Sequence, residues 1–153
     1  MCIEEKLKEM GYPLPEVSKT VGLFIPARIV GSVMFTSGST ALVNGKLPKE
    51  GLVGADVSLE DAQECARIAL LNCLAKAKAA LGDLNRIKTI IKLNGFVASA
   101  PGFYQQSQVM NAASEFLVEL FGESGRHART ALGVAALPGN SPIEIEFIAE
   151  ITD

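Results

Sequence analysis

The strongest constraint on this chain is the alternation in its last segment. Ile143, Ile145, Phe147, Ala149 and Ile151 take one parity, while Glu144, Glu146, Ile148 and Glu150 take the other. Successive side chains of a β-strand point to opposite faces, so the run predicts a strand with one face in a core and the other turned elsewhere. The core face needs a cover, and the segment from Ser58 to Leu81 is the clearest one. Ser58 and Asp61 form an S-x-x-D capping pattern, Glu60 and Asp61 suit the first turn of a helix, and Gly82 stands where a C-cap belongs. Within it Ala62, Cys65, Ala69, Cys73, Lys76 and Ala80 lie along one narrow, mostly small stripe. Small side chains there let a helix press closely on a sheet.

The remaining segments fall around these two. Ile3, Leu7 and Met10 have helical spacing, Gly11 ends the pattern, and Pro13 and Pro15 predict an extended stretch after it. The residues from Val17 to Phe35 predict two or three strands with a hairpin near Arg28 to Gly31; Asn44-Gly45 predicts a turn, and Gly51 and Gly54 a loop. A strand is expected from Arg86 to Ser99, a second long helix from Ser107 to Phe121, and strands over His127 to Ala136 and Ile143 to Thr152. Strands, helix, strand, helix and two strands make an α+β layout: one mixed sheet with two helices on a single face. A length of 153 residues holds one such domain. No helix remains for the second sheet face, so another copy of the chain is the expected cover, in keeping with a mean hydropathy of +0.28.

Composition excludes several classes. The greasiest runs are interrupted, by Pro26 and Arg28 in one and by Arg67, Lys76 and Lys78 in the other. Neither approaches the roughly 20 unbroken apolar residues of a membrane span. Net charge is −3 and the densest basic patch is Arg126, His127 and Arg129, too small to track a phosphate backbone, so no nucleic-acid partner is expected. The N-terminus carries charge where a secretory signal needs an apolar stretch. Cys65 and Cys73, about 12 Å apart along one helix, cannot form a disulfide and are expected as small hydrophobes. A reducing cytoplasm is the expected setting. Dinucleotide, P-loop, nucleophile-elbow and C-x-x-C motifs are all absent, and neither cofactor nor metal is expected.

What the sequence offers for chemistry is Arg129 with Glu144. An arginine in an otherwise apolar strand needs a partner, because it cannot discharge itself by losing a proton. Two partners fit: a structural carboxylate, or the carboxylate of a small ligand gripped by the planar fork. Arg129 and Glu144 meet only if the last two strands are antiparallel neighbours with an accommodating loop, or if they face each other across a subunit boundary. His127 shares a strand face with Arg129 by period two and reads as a surface histidine. Glu146 and Glu150 read as solvent-facing.

The stretch His127-Ala-Arg-Thr-Ala-Leu-Gly-Val-Ala-Ala-Leu-Pro-Gly-Asn-Ser-Pro-Ile-Glu-Ile-Glu146 resembles the C-terminal signature of the YjgF family, also called Rid for reactive intermediate deaminase. Gly31-Ser-Val-Met-Phe-Thr-Ser-Gly38 resembles that family's strand ending in Thr-Ser-Gly, and Met110-Asn-Ala-Ala-Ser-Glu-Phe-Leu117 its second helix. The three matches are collinear, with residues 1–15 as an N-terminal extension. The resemblance implies a chorismate-mutase-like α+β fold and a homotrimer with clefts between subunits. It also implies an imine or enamine deaminase that releases a keto acid and ammonia, or else a non-catalytic trimer that binds such metabolites. On that reading Arg129 takes the substrate carboxylate, Glu144 and a backbone carbonyl near Ala131 position the hydrolytic water, and Ser37 and Asn111 border the cleft. Phe24 stands where deaminases of the family often carry a tyrosine, and Ala131 where a cysteine is common. The family's older endoribonuclease name fits poorly with an acidic chain that offers no second catalytic base.

Overall fold

A computed structural model describes residues 1–17 and 22–153. The alternating C-terminal segment is strand β6 (Ile143–Ile151), and it runs through the middle of a mixed sheet. Hairpin β1 (Ala27–Val30) and β2 (Val33–Thr36) pairs antiparallel on one side of it, and β4 (Ile87–Ala98) pairs antiparallel on the other. Beyond β4 lies β5 (Ala128–Val134), parallel to β4 and at the sheet edge, so the order is β1-β2-β6-β4-β5. The two-residue β3 (Ser39–Thr40) pairs with the start of β6.

Among the described residues three α-helices complete the fold: the short N-terminal helix expected from Ile3, Leu7 and Met10 is α1 (Ile3–Glu9), and the two long ones are α2 (Leu59–Leu81) and α3 (Gln106–Phe121). The cap at the head of α2 is made as its sequence requires, with Asp61 N–H donating to Ser58 Oγ at 3.1 Å, and Gly82 closes the helix in the left-handed region at φ 79°. Along the small-residue stripe Ala62, Cys65, Ala69 and Cys73 are buried and Lys76 is half-buried, whereas Ala80 is exposed because the buried side of the last turn is taken by Ala77 and Leu81. The core lies between these helices and the odd-numbered face of β6, with Leu70, Leu74, Leu93, Leu117 and Phe147 fully buried. Removing a side chain of the size of Phe147 from such a core costs about 3–5 kcal/mol.

Two glycines set close approaches. A β-carbon at Gly95 would run into the Met110 side chain, so glycine lets α3 settle on β4. Buried Gly125 faces the Leu117–Val118 backbone of α3, which cannot give way to a side chain. The hairpin turn falls at Gly31 and Ser32, two residues beyond the centre of the expected Arg28 to Gly31 segment, and Asn44-Gly45 turns the chain with both residues at positive φ. Of the strands expected from Val17 to Phe35 only the hairpin forms among the described residues; 18–21 lie outside them.

The face of the sheet away from the helices is apolar in patches. Phe35 is 43% exposed and Leu132 39%, with Ile148 half-buried opposite Phe35 in the β2–β6 register. No helix among the described residues is long and apolar enough to cross a membrane.

Candidate active site

Glu144 is the second residue of β6, paired with Thr40 on β3 and Phe96 on β4. Buried Ser141 fixes the approach to this strand, its hydroxyl donating to the Ile143 carbonyl at 2.8 Å and accepting from the Ala41 N–H at 3.3 Å. The Glu144 carboxyl lies against the bare backbone of Gly38 and borders a cavity of about 730 Å³. Pro13, Pro15, Phe24, Leu42, Ile68 and Leu71 give that cavity apolar walls, and Lys76 brings a charge into it. Burial pushes the Glu144 carboxyl above its usual range; Lys76 offsets part of the rise and Glu146 adds to it. Lys76 Nζ is held in place by donating to the Gly38 carbonyl at 2.7 Å.

Phe24 is on this cavity, 54% exposed, and its ring has no hydroxyl to offer. Ser37 is not on the cavity wall. Its hydroxyl donates to the Ile25 carbonyl at 2.5 Å and its N–H to the Pro26 carbonyl at 2.8 Å, which ties the segment bearing Phe24 to the end of β2.

Arg129 is elsewhere. On edge strand β5 it is level with Leu93, and its side chain reaches α3, where Nη1 donates to Asn111 Oδ1 at 2.9 Å and to Ser114 Oγ at 3.1 Å. Both partners are neutral. Among the described residues Arg129 has no carboxylate within salt-bridge distance, so the structural ion pair, one of the two partners open to it from sequence, is not made. The last two strands are not neighbours either, because β4 lies between them. Arg129 is level with Leu93 and Glu144 with Phe96, two strand spacings apart laterally and three residues apart along β4. At ~4.8 Å per strand and ~3.3 Å per residue, their backbones are roughly 14 Å apart. Within one protomer, Arg129 with Asn111 and Glu144 with Phe24 form two separate half-sites.

Ala131 belongs to the arginine half. Val134 turns its carbonyl toward β4, where Ser99 N–H donates to it at 3.0 Å. Carbonyl direction alternates along a strand, so the Ala131 carbonyl, three residues earlier, points to the outer edge of β5. No strand among the described residues pairs with that edge.

His127 is not a free surface residue. It is half-buried behind Arg129, with Nδ1 2.6 Å from the Gly125 carbonyl and Nε2 2.9 Å from Ser114 Oγ. Burial lowers its pKa and the neighbouring Arg129 charge lowers it further, against an opposing pull from the Gly125 carbonyl. Ser114 and Lys76 are the polar neighbours that sequence reasoning passed over. Ser114 lies three residues after Asn111, one helical turn on and therefore on the same face, which is the signal that could have revealed it.

The family model described as "YjgF/chorismate mutase-like, putative endoribonuclease" matches residues 4–151. Protein TCP17 of Trypanosoma cruzi is 38% identical, over 87% of this chain and 91% of its own. Among solved structures, Atu1372 of Agrobacterium tumefaciens, a protein described as having unknown function, is 46% identical with a TM-score of 0.91 over 98% of this chain and 92% of its own. A Shewanella oneidensis protein named in the same terms as the family is 36% identical with a TM-score of 0.94, over 99% of this chain and all of its own. With the sheet order, the helices on one face and these matches in agreement, the chain belongs to the YjgF/chorismate mutase-like family.

Proposed function

We propose that this protein is an imine or enamine deaminase, hydrolysing small carboxylate-bearing intermediates to a keto acid and ammonia in clefts between the subunits of a homotrimer. The observation that carries this reading is the state of Arg129: a half-buried guanidinium oriented by two neutral oxygens, with no carboxylate of its own among the described residues. A charge so placed is matched to a carboxylate brought by a ligand. The separate half-sites support an intersubunit cleft, in which Arg129, Asn111 and the Ala131 carbonyl of one subunit face Glu144 and Phe24 of the next. The exposed apolar patches on the helix-free sheet face support a partner there.

The reaction needs little machinery. A protonated imine is already electrophilic, so water adds its oxygen to the imine carbon as Glu144 takes a proton from that water. The carbinolamine nitrogen then takes that proton back from Glu144 and leaves as ammonia, while the hydroxyl gives up its own proton to the Glu144 carboxylate, which passes it to the ammonia, so the products are a carbonyl and ammonium. A carboxyl whose pKa is raised by burial is suited to these transfers. An acidic chain, with 17 acidic and 14 basic residues, is poorly suited to RNA.

The test is hydrolysis of imines generated in situ by an amino-acid oxidase and trapped with semicarbazide, comparing wild type with Arg129→Ala across several parent amino acids. Imine loss that is accelerated and depends on Arg129 is expected; equal rates for wild type, variant and blank refute the deaminase. The missing hydroxyl at Phe24 favours one other reading, a trimer that binds keto acids without turning anything over. Calorimetry with pyruvate and 2-oxobutyrate separates the two, since that reading requires binding in the absence of hydrolysis.

A further inference from the structure

We infer that His127 and Ser114 are positioning residues that aim the guanidinium of Arg129 through a hydrogen-bond chain running in one direction. The inference rests on the deaminase reading for its kinetic consequences and on geometry alone for the chain itself. The Gly125 carbonyl can only accept, so the 2.6 Å contact requires a proton on His127 Nδ1. In the neutral imidazole that leaves Nε2 as an acceptor, and its partner at 2.9 Å, the Ser114 hydroxyl, must donate to it. With its proton committed, Ser114 Oγ receives the N–H of Arg129 Nη1 at 3.1 Å. Each group therefore fixes the next, from Gly125 to His127 to Ser114 to Arg129.

The start of the chain is rigid. Gly125 is held on α3 by a fit that admits no β-carbon, so its carbonyl is a fixed post under the imidazole. At the far end, Nη1 divides its two hydrogens between Ser114 and Asn111. Nε and Nη2 have no hydrogen-bond partner among the described residues. Those two donors share one edge of the guanidinium and match the two oxygens of a carboxylate. The chain thus occupies one nitrogen and presents the other edge to the ligand. Arg129 supplies the charge; His127 and Ser114 supply its direction.

The chain has one histidine, so a single imidazole appears in a spectrum of protein labelled with 15N-histidine. Wild type is expected to show the Nδ1–H tautomer with a hydrogen-bonded Nε2, and Ser114→Ala to move the Nε2 resonance toward that of an unbonded acceptor. In kinetics, Ser114→Ala and His127→Ala should each raise KM for the imine about tenfold with kcat little changed. His127→Gln, whose amide oxygen can accept from Ser114, should recover part of the loss. An Nε2–H tautomer in wild type, an Nε2 resonance indifferent to Ser114→Ala, or an unchanged KM in both alanine variants would overturn the inference. A wild type that neither hydrolyses imines nor binds pyruvate refutes the deaminase reading alone, and the tautomer still decides the chain.

Discussion

Gly38 offers a sharp test of the Glu144 half-site, because its substitution moves a carboxyl without touching the core. Gly38 does not adopt a positive φ, so alanine there meets no backbone strain. A β-carbon, however, would lie 3.1 Å from the Glu144 carboxyl carbon and nearer still to Oε1. Ordinary contact begins at ~3.5 Å, so the carboxylate, the free end of a flexible side chain, has to swing away by about 1 Å. A displacement of that size in a catalytic group costs about 100-fold in rate, or about 2.7 kcal/mol of transition-state stabilisation. Global stability should change by no more than about 1 kcal/mol, since nothing buried is lost. We expect Gly38→Ala to lower kcat/KM in the coupled imine assay about 100-fold, with a thermal midpoint close to that of wild type. On a Glu144→Ala background the same substitution should add little, because its effect passes through the carboxyl. Wild-type activity in Gly38→Ala, or an equal loss on both backgrounds, would show that the Glu144 carboxyl does not depend on the bare backbone of Gly38.

Three further outcomes follow from the same structure. Lys76→Met removes the cation that favours the Glu144 carboxylate, so the carboxyl pKa should climb further and the acid limb of the pH–rate profile should move to higher pH; an unmoved limb would separate Lys76 from Glu144. Light scattering should give three times the chain mass of 16.2 kDa, and Phe35→Lys on the helix-free sheet face should shift the protein toward monomer, whereas a wild-type monomer would remove the intersubunit cleft. Cys65 and Cys73 are buried, with thiols pushed up to about 11, so a thiol reagent at pH 8 should titrate Cys2 alone in the native protein and three cysteines after denaturation; three rapid equivalents without denaturant would contradict the packing.

The elements of this fold were legible because each has a local physical cause. The alternation in β6 is a strand's own period, and the Ser58 cap and Gly82 stop mark α2 through backbone groups they satisfy within a few residues. The hairpin, the Asn44-Gly45 turn and the second long helix follow from equally short-range chemistry. The candidate site was legible only in part. Arg129, Glu144, Phe24 and Asn111 could be named, but whether any two meet depends on strand order, a long-range property. β4, taken from the middle of the chain, inserts between the last two strands and parts Arg129 from Glu144.

The residues around each group lay further out of reach. His127 reads as a surface histidine until Gly125, pressed on α3, and Ser114, one turn from Asn111, are brought to its two nitrogens. Lys76 reads as a breach in a small-residue stripe until the Gly38 carbonyl accepts its ammonium. Period, capping and burial act over a few residues, so the long elements, the single core face and the identity of the charged groups could be read from the amino-acid order alone. Which groups are neighbours, and which way each hydrogen bond runs, depends on segments that meet only when the sheet is assembled.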